Sequence, residues 1–139
     1  MTGLDSNVLA RCYLAVSTAD AATARQQQAS RRLLESTQPL FVAKTVLLKL
    51  EWVMRGAYAC TPAQFIGVLE HMLSSPHVTV EDRLAVEAAA AAYAQGLDFA
   101  DALHQASCRS CDAMASFDDR RFARRANKLG LVPTVSVPR

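Results

Sequence analysis

Five short, β-prone apolar runs alternate with longer helix-like segments along this chain, and that alternation limits the fold more than any other feature of the sequence. The runs are Thr2 to Leu4, Leu40 to Val42, His77 to Val80, Cys111 to Ala115 and Leu131 to Val137. Strands that alternate with helices call for a parallel sheet covered on both faces. The expectation is therefore α/β: a three-layer α/β/α sandwich around a mainly parallel five-stranded sheet, with Pro133 marking an edge. In an open parallel sheet, ligands collect beyond the carboxyl ends of the strands. Residues that directly follow a strand are thus the first to weigh.

The intervening segments read as helices from Asn7 to Tyr13, Thr18 to Leu34, Lys44 to Tyr58, Pro62 to about Leu73, Asp82 to Gln95 and from Asp98 onward. Thr61-Pro62-Ala63-Gln64 carries a threonine cap, proline at the first helical position and glutamine three residues after the cap. Gly96 supplies a C-terminal stop. On the helix after Phe41, Val46, Leu50, Val53, Met54 and Ala57 share one face, which puts Glu51 at the boundary beside Leu47 and Tyr58. A boundary carboxylate can look into a cleft. The bland alternative is an exposed Glu51–Arg55 pair at i,i+4, worth about 0.3–0.5 kcal/mol and without functional meaning.

With 139 residues, 51% of them hydrophobic, the chain is expected to form one domain, 1–139. A chain of this size buries roughly 70% of the surface its unfolded form exposes, so folding by itself requires neither a disulfide nor a structural metal. The net charge of +2 is too small to identify a nucleic-acid binder, and its distribution matters more. The start lacks a basic stretch, and Asp5, Asn7 and Arg11 interrupt any apolar core of a secretory signal. No apolar run approaches the roughly 18 residues a membrane span needs. A cytoplasmic protein without a membrane role is expected.

Cysteines and histidines carry little. Cys12 and Cys60 stand alone in expected helices, and the single C-x-x-C of Cys108 and Cys111 has neither a second pair nor a histidine pair to close a zinc site. Cys108 falls at a helix end and not at a helix start, which argues against a redox motif; two reduced thiols are expected. His71, His77 and His104 show no ligand spacing.

The acids are more informative. Asp5 follows the first strand, Asp98 and Asp101 share one side of a helix, and Asp118 and Asp119 stand where the fourth strand gives way to a helix. Asp5 could simply cap its helix, and Asp98 and Asp101 could cap theirs and favour its dipole. In a parallel sheet, however, strand ends meet on one rim, so Asp5 and Asp118 can be neighbours, with Glu51 and Asp101 beside them. Two carboxylates about 4 Å apart repel by about 4 kcal/mol at an effective dielectric near 20, so a converging set is costly without cations among it. Hard oxygen donors select Mg²⁺ or Mn²⁺.

The segments LDSNVLARCYL, LLKLEWVMRG, GLDFADALHQA and SFDDRRFARRANKLGL resemble, in order and over nearly the whole chain, the PIN-domain ribonucleases of the VapC toxin type. The resemblance implies a metal-dependent endoribonuclease, the toxin of a type II toxin–antitoxin pair. It assigns divalent-metal ligation and catalysis to Asp5, Glu51, Asp101 and Asp118, with RNA cut to 5′-phosphate and 3′-hydroxyl ends. Ser6 and Ser116 stand at common threonine positions and keep a hydroxyl. With Asn7, Asp98 and Asp119 they form the supporting set around the four acids. The resemblance further implies inhibition by a small antitoxin protein and a homodimer.

Two other classes were weighed. A catalytically silent PIN-like RNA- or protein-binding domain loses weight because all four acids are present; a phosphotransferase with Asp5 as nucleophile lacks the second aspartate, where Asn7 stands. Beside Asp118, the cations Arg120, Arg121, Arg124, Arg125 and Lys128 form a candidate track for an RNA backbone, or else a solvated helix face. Trp52, Met54, Tyr58 and Phe65 supply more large apolar area than one side of a thin domain readily buries. Core packing is expected for most of them and a partner for the remainder.

Overall fold

The computed structural model describes residues 1–14 and 20–139. It is α/β, with parallel strands only, and divides into two compact units, Met1–Glu81 and Asp82–Arg139. The start expected for the second helix, at Thr18, lies outside the described residues.

In the first unit, β1 (Thr2–Gly3), β2 (Leu40–Val42) and β3 (Val78–Val80) form a parallel sheet in that order. Thr2 pairs with Leu40 and Gly3 with Phe41; Leu40, Phe41 and Val42 pair with Val78, Thr79 and Val80. The central strand is the most apolar, with Leu40 and Val42 wholly buried. Helices α1 (Ser6–Tyr13) and α2 (Ala21–Glu35) join β1 to β2, and α3 (Lys44–Ala57) and α4 (Pro62–Ser74) join β2 to β3. The capping box at Thr61 forms as the sequence demands: Thr61 Oγ1 accepts from the Gln64 N–H at 3.2 Å, and the Thr61 N–H donates to Gln64 Oε1 at 2.8 Å.

Helix α3 departs from the expected face. Its buried residues are Leu47, Leu50, Glu51 and Met54, whereas Ala57 is exposed and Val46 and Val53 are only half-buried. The buried stripe is thus rotated towards the carboxylate. Cys60, expected in a helix, lies instead in the connection between α3 and α4, where its N–H donates to the Met54 carbonyl at 2.9 Å. Of the four large apolar residues around α3, Met54 and Phe65 are buried, Tyr58 is half-buried, and Trp52 alone is 66% exposed.

In the second unit, α5 (Arg83–Ala94) and α6 (Phe99–Ser107) pack closely through buried alanines, with Tyr93 meeting Phe99 edge-on at 5.4 Å between ring centroids. Gly96 ends α5 at φ +98°, a conformation open to glycine at no steric cost. Then follow β4 (Met114–Ala115), a π-helical turn (Asp119–Ala123) continuous with α7 (Arg124–Lys128), and β5 (Val135–Ser136). Strands β4 and β5 pair in parallel, Met114 with Val135 and Ala115 with Ser136.

The five strands therefore belong to two sheets, of three and of two strands, and not to the one five-stranded sheet expected. The last two strands are also much shorter than their apolar runs. Polar Cys111 and Asp112 stay exposed in a turn that the Cys111 N–H closes on the Cys108 carbonyl at 2.8 Å, which leaves two residues for β4. Pro133 precedes β5, which is an edge of its two-stranded sheet as expected, and is itself buried, its carbonyl accepting from Gln105 Nε2 at 3.1 Å. Among the described residues no helix is long and apolar enough to cross a membrane.

The short β4–β5 ladder depends on one side chain. Asn127 Nδ2 donates to the Val135 carbonyl at 2.7 Å, and Asn127 Oδ1 accepts from the Val135 N–H at 2.9 Å, so the side-chain amide acts as an additional strand. Val135 is buried, which makes its unsatisfied backbone groups expensive. Replacing Asn127 with alanine is expected to destabilise the protein by about 1–3 kcal/mol. Urea unfolding checks this, and a midpoint equal to wild type would show the amide to be dispensable.

Candidate functional site

In the first unit the candidate residues are Asp5, Ser6, Asn7 and Glu51. Asp5 directly follows the short strand β1 and is the N-cap of α1, with extended backbone at φ −84° and ψ 161°. Its Oδ1 accepts from the Ser6 N–H at 2.7 Å and from the Ser6 hydroxyl at 3.3 Å. Ser6 is buried and Asp5 exposed, so the serine fixes the carboxylate from below. These contacts all use Oδ1, which leaves Oδ2 as the oxygen through which Asp5 can meet a ligand.

Glu51 occupies the middle of α3 and is 4% exposed. Arg55 Nε donates to its Oε1 at 3.0 Å, one turn on, while Arg55 itself is mostly exposed. The i,i+4 pair of the bland alternative is thus present, but its carboxylate is buried and not exposed. A buried carboxylate without compensation would cost several kcal/mol, so the guanidinium is part of what keeps it there. Helix α1, capped by Asp5, packs on α3, which carries Glu51.

Asn7 is exposed on α1 and lines a depression of about 470 Å³ with Arg11, Gln26 and Ser30. Arg11 Nε donates to Gln26 Oε1 at 2.9 Å, tying α1 to α2. A second cavity, of about 400 Å³, holds the Tyr13 hydroxyl and His71 Nδ1 at 2.6 Å, beside Cys12, Arg31 and His77. Burial raises the Cys12 thiol, with Arg31 opposing and Glu35 adding to the effect, so that thiol is not activated. The sequence assigned these residues nothing. Tyr13 and His71 are 58 positions apart and neither belongs to a motif.

In the second unit Asp98 and Asp118 both act electrostatically on Asp101. Asp98 is the N-cap of α6 and its Oδ2 accepts from the Asp101 N–H at 3.2 Å. Asp118 caps the π-helical turn, its Oδ1 accepting from the Arg121 N–H at 3.0 Å, while its own N–H donates to Ser116 Oγ at 3.1 Å. The cap expected of Asp98 is present, and Asp118 adds one that the sequence reading did not assign. They do not exhaust these residues, because Asp101 lies within the fields of both. Burial, then the charge of Asp98, then that of Asp118 raise the Asp101 carboxyl above the ordinary range, and His104 opposes them. Asp119 stands apart from this trio, in an ion pair with Arg124 at 2.7 Å.

Arg120, Arg121, Arg124, Arg125 and Lys128 are all exposed. Arg125 Nη1 donates to the Gly96 carbonyl at 3.4 Å and so is partly engaged. The four cysteines are free thiols, consistent with the expectation for Cys108 and Cys111. Within either unit, no three His, Cys, Asp or Glu side chains among the described residues are grouped so as to hold a metal ion. Compared with models of known protein families and with curated proteins, the chain shows no match.

A carboxyl whose pKa rises on folding binds its proton more tightly in the native state, so its ionisation opposes folding. That penalty is complete above the native-state pKa and disappears as pH falls below the ordinary aspartate value of about 3.9. In the presence of chelator, Asp101→Asn is expected to be at least as stable as wild type at neutral pH, with the difference closing on acidification. Urea midpoints at about pH 7 and about pH 3 measure it. A variant less stable at neutral pH would mean that Asp101 contributes a native contact larger than the repulsion it suffers.

Proposed function

We propose that the protein is a metal-dependent endoribonuclease of the PIN-domain, VapC-toxin type, with Asp5, Glu51, Asp101 and Asp118 as its metal-holding acids. The observation that carries this reading is the crowding of Asp101 by Asp98 and Asp118, two like charges imposed on a part-buried carboxyl. Such crowding is unfavourable without a cation, and carboxylate oxygens suit hard Mg²⁺ or Mn²⁺. Carboxylate oxygens are the donor chemistry that such an ion prefers. Bound there, a divalent ion supplies a lowered water pKa and stabilisation of charge on a phosphate under in-line attack.

The chain's own groups then have distinct tasks. Ser6 holds Asp5 through Oδ1, and Ser116 holds the backbone of Asp118, so both acids are oriented before any ligand arrives. Asp98 keeps α6 started at Asp101 and adds negative potential. Asp119, paired with Arg124, and Asn7, exposed one turn before Arg11, support the periphery. Arg120, Arg121, Arg124, Arg125 and Lys128 provide a cationic track for the RNA backbone beside Asp118. The three-layer α/β/α arrangement, cytoplasmic location and homodimer belong to the same proposal. So does inhibition by a small antitoxin, whose arginine would pair with the acids in competition with metal. Trp52 offers that partner exposed aromatic area.

A catalytically silent RNA- or protein-binding domain is the second reading. It is favoured by the capping work that Asp5, Asp98 and Asp118 already do.

Asp5→Asn separates the two, since asparagine caps a helix as well as aspartate does but brings no charge. The variant is expected to keep its thermal midpoint and lose Mg²⁺- or Mn²⁺-dependent cleavage of total cellular RNA. Chelator should abolish the wild-type cuts, and mapped ends should carry 5′-phosphate. RNA cut equally well by Asp5→Asn at matched metal would remove Asp5 from the site; wild type that binds RNA but never cuts it would favour the silent domain.

A further inference from the structure

Phe117 is 83% exposed, more than any other large apolar side chain among the described residues, Met1 included. An aromatic ring left in water forgoes roughly 2 kcal/mol of burial, so its position calls for an explanation. Its backbone is not loose. The Ser116 N–H donates to the Ser136 carbonyl at 3.0 Å, continuing the β4–β5 ladder by one bond, and the Asp118 N–H donates to Ser116 Oγ at 3.1 Å. Pinned on both sides, the chain holds the ring outward on a fixed turn.

The surroundings of the ring are polar and charged. Ser116, Asp118 and Asp119 flank it in sequence, and exposed Arg120 and Arg121 follow on the π-helical turn. A depression of about 510 Å³ lined by Asp119, Ser136, Val137 and Arg139 adjoins the same strand pair. An apolar protein partner would require a contiguous apolar surface, which this stretch does not provide. A rigid aromatic face beside a run of cations instead has the two parts that single-stranded nucleic acid requires, a stacking platform and a track for phosphates.

We propose that Phe117 is a stacking platform for an unpaired base of RNA, with Arg120 and Arg121 contacting the adjoining phosphates. This rests on the ribonuclease reading above and adds a base-contacting residue to it. A base inside a duplex has its faces covered by neighbours and cannot lie on the ring. Stacking is indifferent to base identity, so Phe117 selects strandedness and not sequence.

The test is fluorescence anisotropy of the full chain with a labelled single-stranded RNA and with the same RNA annealed to its complement, in chelator so that nothing is cut. Wild type is expected to prefer the single strand. Phe117→Ala should weaken single-strand binding by about fivefold or more, the lower bound for one stacked base, and leave duplex binding unchanged. Phe117→Trp should restore affinity and Phe117→Leu should not, since leucine keeps apolar area but has no ring face. The dependence on salt should be unaltered in Phe117→Ala and shallower in the Arg120→Gln, Arg121→Gln double variant.

With the ring so exposed, these variants are expected to fold, and circular dichroism checks that they do. Equal affinity of wild type and Phe117→Ala, or recovery with leucine, would overturn the stacking role while leaving the ribonuclease reading intact. A wild-type oligomer that Phe117→Ala disperses in the absence of RNA would assign the ring to a second copy of the chain and overturn it likewise. Wild type that binds neither RNA would defeat both readings.

Discussion

A parallel ladder two or three residues long sets the terms for the first unit. Strands so short offer few backbone bonds, and the ladder gains from every position just outside them: the Leu4 N–H donates to the Phe41 carbonyl and the Glu81 N–H to the Val42 carbonyl, both at 2.9 Å. Those extra bonds carry the pairing past the strand ends on the carboxyl side. They also fix what comes next. Asp5 follows Leu4 immediately, and the Glu81 carboxylate accepts from the Lys44 N–H at 2.9 Å. Helix α3 begins after Ala43, which has no side-chain oxygen with which to cap it, and β3 thus supplies through Glu81 the acceptor that α2 obtains from its own Asp20. Parallel pairing and helix starts are in this way one structure.

Features with a local physical cause were legible in the sequence. The Thr61 box, the stop at Gly96 and the caps Asp5 and Asp98 need only a few adjacent residues, and each is where its spacing puts it. The three apolar residues Leu40 to Val42 became β2 without change. Features decided by distant partners were not legible. The helical wheel puts Glu51 at the boundary of the apolar face, yet the buried stripe runs through it, with Arg55 pairing from the next turn. The run from Leu131 to Val137 gave a strand of only two residues, because Asn127 clamps Val135 and Gln105 takes the Pro133 carbonyl. Neither amide is recognisable from its neighbours in sequence.

Capping and chemistry are usually opposed as explanations of an acid at a strand end, and the second unit shows why the opposition is incomplete. Asp98 and Asp118 each commit one oxygen to a backbone N–H at a helical N-terminus. That position favours negative charge. Asp101 shares the first turn of α6 but is not its cap. Its own N–H is spent on Asp98, its carboxyl is partly buried, and the two stabilised charges act on it. The caps therefore concentrate the electrostatic cost on a single residue, which is the one that gains most from a cation.

The cations beyond Asp118 can be read with the same arithmetic. Arg124 is bound to Asp119 at 2.7 Å, but both side chains are largely exposed, and pairs of that kind contribute between 0 and about 1 kcal/mol. A phosphate can take Arg124 from Asp119 at small expense, whereas Arg55 is bound to a buried carboxylate, from which it is costlier to release. Arginines of the same type thus divide by the burial of their partner: those on the π-helical turn and α7 are available to a polyanion, and Arg55 is structural. Asp119 even sharpens the division, since it lowers the local positive potential in the absence of a ligand and repels a phosphate that does not displace it. Binding that must exchange one ion pair for another favours a strand able to make several phosphate contacts at once over an isolated anion.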